Sequence, residues 1–117
     1  MRVKATREGL LGRVTATGFV IDNYMPFVAL PATRALYKFV RLYNPLNARE
    51  AVAIVLDVGP WNTDDDEYVF GDQRPQAETG VDKRGRPTNG AGIDLSFALW
   101  RLLGMHDNTM VEWEFLG

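Results

Sequence analysis

The chain has 117 residues, 46% of them hydrophobic and 24% charged, with a formal net charge of −2, a composition that suits a single soluble domain with one core. It has no cysteine and one histidine, His106, which excludes disulfides, thiolate metal sites, a cysteine nucleophile and any site that needs two imidazoles. No apolar run approaches the roughly 20 residues that span a bilayer, and the basic N-terminus MRVKATREGLLG has no apolar stretch of signal-peptide length, so neither membrane insertion nor an export address is expected.

Residues 13–21 (RVTATGFVI) are rich in Val, Thr and Phe and predict the first strand, with Gly18 marking a bend or bulge. Pro26 and Pro31 then predict a turn-like segment. Residues 35–43 (ALYKFVRLY) read as a second strand, with Tyr37, Phe39, Arg41 and Tyr43 on one face and Leu36, Lys38, Val40 and Leu42 on the other. The turn chemistry of NPLNARE leads into residues 51–58 (AVAIVLDV), an almost unbroken apolar run that predicts a buried strand ending at Gly59-Pro60.

From 61 to 92 the composition shifts to Asp, Gly, Pro, Arg, Thr and Asn, which predicts a long inserted loop, with Tyr68, Val69 and Phe70 as a short strand or an anchor within it. Its order is not legible in the sequence. A helix follows, with Ser96 as N-cap, Leu95 stapled onto Trp100, Gly104 just past the C-terminus and a stripe of Ala98, Leu99, Leu102 and Leu103. His106 reads as a solvated loop residue after it. The segment MVEWEF (110–115) alternates cleanly, with Val111, Trp113 and Phe115 facing inward. Mostly strands with one short helix predicts a single all-β barrel domain over 1–117.

The charge is uneven. Residues 1–49 hold eight Lys or Arg against two acids, and residues 57–82 hold eight acids against Arg74 alone. The acidic stretch cannot neutralise phosphates, and the basic charges read as outer strand faces, so no nucleic-acid partner is expected. The run Asp64-Asp65-Asp66-Glu67 lacks the spaced ligands of an EF-hand loop and reads as a solvated acidic turn. Asp82-Lys83-Arg84-Gly85-Arg86 has no phosphate-binding fingerprint around it. No metal and no cofactor are expected.

Three segments in order resemble the double-psi β-barrel superfamily of rare lipoprotein A, the expansins and the family-45 endoglucanases. TATGFVID (15–22) with LPAT (30–33) is similar to the lipoprotein's TASGERFD and LPFGT. LDVGPW (56–61) is similar to its NDRGPF. GIDLSFALWRLLGM (92–105), followed by the closing strand, is similar to its IDLS helix ending in Leu-Gly. The resemblance implies a six-stranded double-psi barrel with a groove for a polysaccharide, peptidoglycan or a cellulose-like polymer, and a place in the cell envelope or outside the cell. It places Asp57 at the Asp-x-Gly-Pro aspartate and Asp94 at the general-acid aspartate of the expansins and endoglucanases.

The residues allow that chemistry on their own terms. Protonating a glycosidic oxygen needs a carboxylic acid with a raised pKa. Ile54, Val55, Leu56 and Trp61 surround Asp57 in sequence, and Ile93 and Leu95 flank Asp94. Structural roles are open beside the functional ones: an Asx-type turn for Asp57 and a tie at the helix start for Asp94. Around this pair, Asp22, Thr17, Trp61, Tyr68, Arg74 and Asn89 are the expected substrate contacts. The insert's aromatics either stack on sugar rings or pack the loop onto the barrel. Trp100 and Trp113 are expected in the core.

One departure bears on activity. Phe19 stands where the lipoprotein family has its glutamate, and Asp22, three positions on, points the other way unless Gly18 or a bulge resets the register. The expected function is therefore a domain that cleaves a cell-wall glycan, as a lytic transglycosylase or glycoside hydrolase, or one that binds it without cleavage as expansins do. A structural barrel of a phage or envelope assembly is the remaining reading. The oligomeric state is not legible.

Overall fold

In the computed structural model, which describes residues 1–117, six strands close into a barrel: β1 (Arg2–Arg7), β2 (Phe27–Leu30), β3 (Phe39–Asn44), β4 (Arg49–Val58), β5 (Ile93–Leu95) and β6 (Met110–Phe115). They are hydrogen-bonded in the order β1-β5-β2-β4-β3-β6. Two parallel pairs, β1 with β5 and β2 with β4, sit among antiparallel neighbours. The fold is an all-β, double-psi-type barrel. Two short α-helices accompany it, α1 (Asp66–Val69) and α2 (Phe97–Leu102), where the sequence predicted only the second.

The interior follows from side-chain alternation. Val3 and Ala5, Val28 and Leu30, Val40 and Leu42, Ala53 and Val55, Ile93 and Leu95, and Val111 and Trp113 all enter one cluster. Closure leaves no free edge, so every strand has a neighbour on both sides. The alternation expected for β6 and the second half of 35–43 is observed, although Phe115 is only half-buried; β4 forms where its apolar run predicts, but it is buried on one face only, with Val52 exposed.

Three expectations are corrected. Residues 13–21 are not a strand: they fold back on themselves with one bridge, Val14 to Val20, and Gly18 at φ 86°. That loop covers a second, external cluster of Ile21, Phe27 and Leu56, and its Val and Thr residues satisfy a turn rather than a sheet. The first strand is instead Arg2–Arg7, where the small core residues Val3 and Ala5 alternate with Lys4 and Thr6 and leave little hydrophobic signal. The segment between Pro26 and Pro31 is a wholly buried strand, because both prolines lie just outside its four residues. The strand expected over 35–43 begins only at Phe39. Before it come a 3₁₀ turn at Thr33–Ala35 and Tyr37 at φ 68°.

Residues 61–92 are folded onto the barrel. They contain α1, a 3₁₀ turn at Gln76–Thr79 and the bridges Ala32 to Asp64 and Val81 to Pro87. Tyr68 is the anchor. It is fully buried in the core, donates to the Gly92 carbonyl at 2.8 Å and accepts the Trp113 indole N–H at 2.8 Å. Its ring meets Trp113 edge-on with centroids 5.9 Å apart. At Gly92 a Cβ would lie 2.9 Å from the Pro75 side chain and 3.0 Å from the Tyr68 hydroxyl, so the close approach needs glycine. Helix α2 is capped as its sequence predicts. Ser96 Oγ accepts from Leu99 N at 3.2 Å and also from Phe27 N at 2.9 Å.

Candidate functional site

The site is set by register. Ala29, in the middle of β2, pairs with Asp57 on β4 and with Asp94 on β5, and Thr6 on β1 pairs with Asp94. Residues paired across neighbouring strands point to the same face, so Thr6, Asp94, Ala29 and Asp57 form one row on the outside of the barrel. Strands about 4.8 Å apart put the Asp57 and Asp94 backbones about 10 Å from each other, with the small Ala29 side chain between them.

A β-bulge brings Asp57 into that row. The β2–β4 register shifts between Val28, opposite Val55, and Ala29, opposite Asp57, which leaves Leu56 unpaired. Without the shift Ala29 would face Leu56, and Asp57 would share the inward face of Leu30. The bulged Leu56 sends its side chain into the external cluster. Its carbonyl accepts from Thr17 Oγ1 at 2.8 Å and from Thr17 N at 3.3 Å.

A third carboxyl joins the pair. The chain continues past β1 with Glu8 N donating to the Leu95 carbonyl at 2.8 Å, which puts Glu8 on the face of Thr6, two residues earlier. Its carboxyl faces that of Asp57. Burial first, then the hydrogen bond to Asp57 and repulsion from Asp57 and Asp94, push the Glu8 pKa up to about 9. Burial also pushes Asp94 up to about 6; the Thr6 hydroxyl, which donates to Asp94 Oδ1, opposes that shift, and the charge on Asp57 adds to it. Asp57 Oδ1 accepts the Ala16 amide at 2.8 Å and its neighbour Val58 at 2.9 Å. No ion pair of the structure involves Glu8, Asp57 or Asp94.

Asp94 opens onto a cleft of about 740 Å³ lined also by Thr6, Arg7, Trp61, Asn89, Trp100, His106 and Asp107. Trp61 Nε1 donates to Asn89 Oδ1 at 3.0 Å, which fixes the indole at the cleft edge. Trp100 packs against the core and also lines the cleft, so its expected core role describes one of its two faces. His106 is exposed at the rim.

Of the residues expected from the sequence, Asp57, Asp94, Trp61 and Asn89 gather here. Asp94 lies on β5 rather than at the opening of the helix, and Ser96 takes the capping role. Tyr68 has no surface for a ligand: it is in the core. Arg74 holds Glu78 through two bonds of 2.9 and 2.6 Å and the Arg2 carbonyl at 3.0 Å. Asp22 accepts from Tyr24 N and Met25 N and closes a turn. Thr17 ties its loop to β4. These contacts give Arg74, Asp22 and Thr17 structural work. Sequence reasoning missed Glu8, Thr6 and Trp100. The parity of Lys4, Thr6 and Glu8 was the available signal for the first two.

A family model described as "Domain of unknown function (DUF8814)" matches residues 1–114. The chain belongs to this family. No curated protein matches the sequence. Among solved structures, the DUF8814 chain is similar to "Streptomyces papain inhibitor (SPI)", with a TM-score of 0.58 and 18% identity over 100% of this chain and 94% of that one. At that identity the likeness concerns the barrel fold alone.

Proposed function

We propose that the domain binds and cleaves a cell-wall polysaccharide, peptidoglycan glycan in the first place, with Asp94 as the general acid. The observation that carries this reading is the Asp94 carboxyl itself. Its pKa is raised to about 6, it carries no cation partner, and it faces a cleft edged by Trp61 and Trp100. Indole faces suit the apolar faces of sugar rings, and Asn89 and His106 offer hydrogen bonds to hydroxyls. The motif resemblance supports the same polymer class.

In this reading a glycan strand lies along the cleft and Asp94, in its protonated form, transfers its proton to the leaving glycosidic oxygen. Intramolecular attack by a hydroxyl of the same sugar completes cleavage with one acid/base group, and Asp94 accepts the proton that the hydroxyl releases. Asp57 is fixed by two backbone amides and shapes the field around Asp94. The acid is active when protonated, so release of fragments falls as pH rises through about 6.

The test is incubation with purified peptidoglycan sacculi and, in parallel, cellulose, with soluble and anhydro-sugar products followed by mass spectrometry. Release that drops at least ~100-fold in Asp94→Asn supports the acid role. Co-sedimentation with the polymer without release leaves a non-catalytic binding module. Neither release nor binding overturns the glycan reading.

A second reading has its own observation. The loop after β1 exposes Leu10, Leu11, Val14, Val20 and Tyr24, the last at 85%, and it is tied at its base to β4 and β5. An apolar loop on a rigid base suits insertion into a partner protein's cleft, and the structural neighbour is named as a papain inhibitor. Inhibition of papain by the intact chain, lost in Leu11→Asp, supports this reading; full papain activity at a large excess of the chain excludes that target.

A further inference from the structure

Three carboxyls converge on one face with no ion pair among them, and only one side-chain donor reaches the group. Thr6 serves Asp94. The two amides from Ala16 and Val58 both go to Asp57 Oδ1 and leave Oδ2 without a backbone partner. Glu8 Oε2 is sealed from solvent and receives no donor at all. Two ionised carboxylates are acceptors only, so a Glu8–Asp57 contact is repulsive unless one of them carries a proton.

We propose that Glu8 is a positioning acid: its buried carboxyl is held in the neutral form, donates its proton to the free oxygen of Asp57, and so ties the end of β1 to the bulge of β4. The proton is placed on Glu8 because its Oε2 is buried without any donor, whereas Asp57 Oδ1 already accepts two amide hydrogen bonds. Burial and the facing charges of Asp57 on β4 and Asp94 on β5 act in the same direction on Glu8. The neighbouring cation, Arg7 at the end of β1, lines the Asp94 cleft but has its guanidinium 5.6 Å from the Phe97 ring centroid and forms no ion pair with the three carboxyls.

Glu8 thereby does two things. It cancels the repulsion that would otherwise drive Asp57 away from the row, and it bridges the end of β1 to the bulge of β4. Glutamine, which also donates a hydrogen bond from the same position, substitutes for the neutral acid; a side chain without a donor does not. The consequence for glycan cleavage rests on the function proposed above, but the state of the Glu8 proton does not.

The experiment is a carboxyl-detected ¹³C NMR titration of the whole chain between pH 4 and 10, without substrate. One glutamate side-chain carbon is expected to titrate above pH 8, and its signal is absent from Glu8→Gln. The proposal fails if every glutamate titrates below about pH 6, or if the high-titrating signal persists in Glu8→Gln. The wild-type titration alone decides the first of these, even where a variant folds poorly. A positive titration with no glycan release sinks the cleavage reading and leaves the proton assignment intact.

Discussion

The insert and the groove use the same acidic side chains to opposite ends. In the insert Asp64, Asp66, Glu78 and Asp82 pair with Lys83, Arg34, Arg74 and Arg86 at 3.1, 2.7, 2.6 and 2.6 Å. The buried Asp65 accepts the Gln76 amide at 2.9 Å. Burial by itself would raise the Asp82 pKa, but the Arg86 amide and guanidinium and the Arg84 amide outweigh it and hold that pKa below the usual range. Glu8, Asp57 and Asp94 have no such cations, and the Glu8 and Asp94 pKa values go up. Acidity in the insert is structural glue. The groove keeps its acidity uncompensated, and uncompensated carboxyls are the ones able to hold and release a proton in the neutral range.

The largest expected effect tests whether the insert is part of the fold. Tyr68→Ala removes a fully buried aromatic and two hydrogen bonds, and should destabilise the domain by about 3–5 kcal/mol in urea denaturation. A loss below about 1 kcal/mol would mean that residues 61–92 dock independently of the barrel core. Ser96→Ala comes next. It strips the acceptor from Leu99 N and Phe27 N together, with an expected loss of about 1–2 kcal/mol.

Glu8→Gln should act in the other direction. A carboxyl whose folded pKa lies above its unfolded value binds more protons in the native state, so its contribution is full below about pH 4.5 and is lost as pH rises toward about 9. Replacing it with a neutral amide should therefore stabilise the domain at pH 8 by on the order of 1 kcal/mol, after allowance for its partial exposure, and flatten the alkaline side of the stability curve. Thermal melts at pH 5 and pH 8 check both sign and shape. A variant less stable than wild type at pH 8 would remove the contrast between the two regions. Asp64→Asn gives the smallest effect. Its pair with Lys83 is exposed, and the expected change is about 0.5 kcal/mol or less, vanishing in high salt.

The barrel class and three of its six strands, β3, β4 and β6, were legible. Strong alternation in β6, the apolar run of β4 and the capping chemistry of α2 are local signals that the tertiary structure obeys. Strands built from few or small core residues were not. β1 shows only Val3 and Ala5 to the interior, and β2 has four residues between prolines. The Val- and Thr-rich segment 13–21 has high strand propensity but no neighbour to pair with beyond its own single bridge, and pairing overrides propensity.

The sequence by itself determined that Asp57 closes an apolar strand, that Asp94 precedes a capped helix, and that the two belong to one barrel domain. These are properties of residues near one another along the chain, where periodicity and capping act. Only the tertiary structure decided that the two aspartates face the same way, because a bulge at Leu56 turns Asp57 outward beside Ala29. It alone placed Glu8 against them from the far end of the sequence, and it alone put Tyr68 in the core. Register between distant strands is fixed by closure of the barrel and by packing of its contents, and no local pattern encodes it.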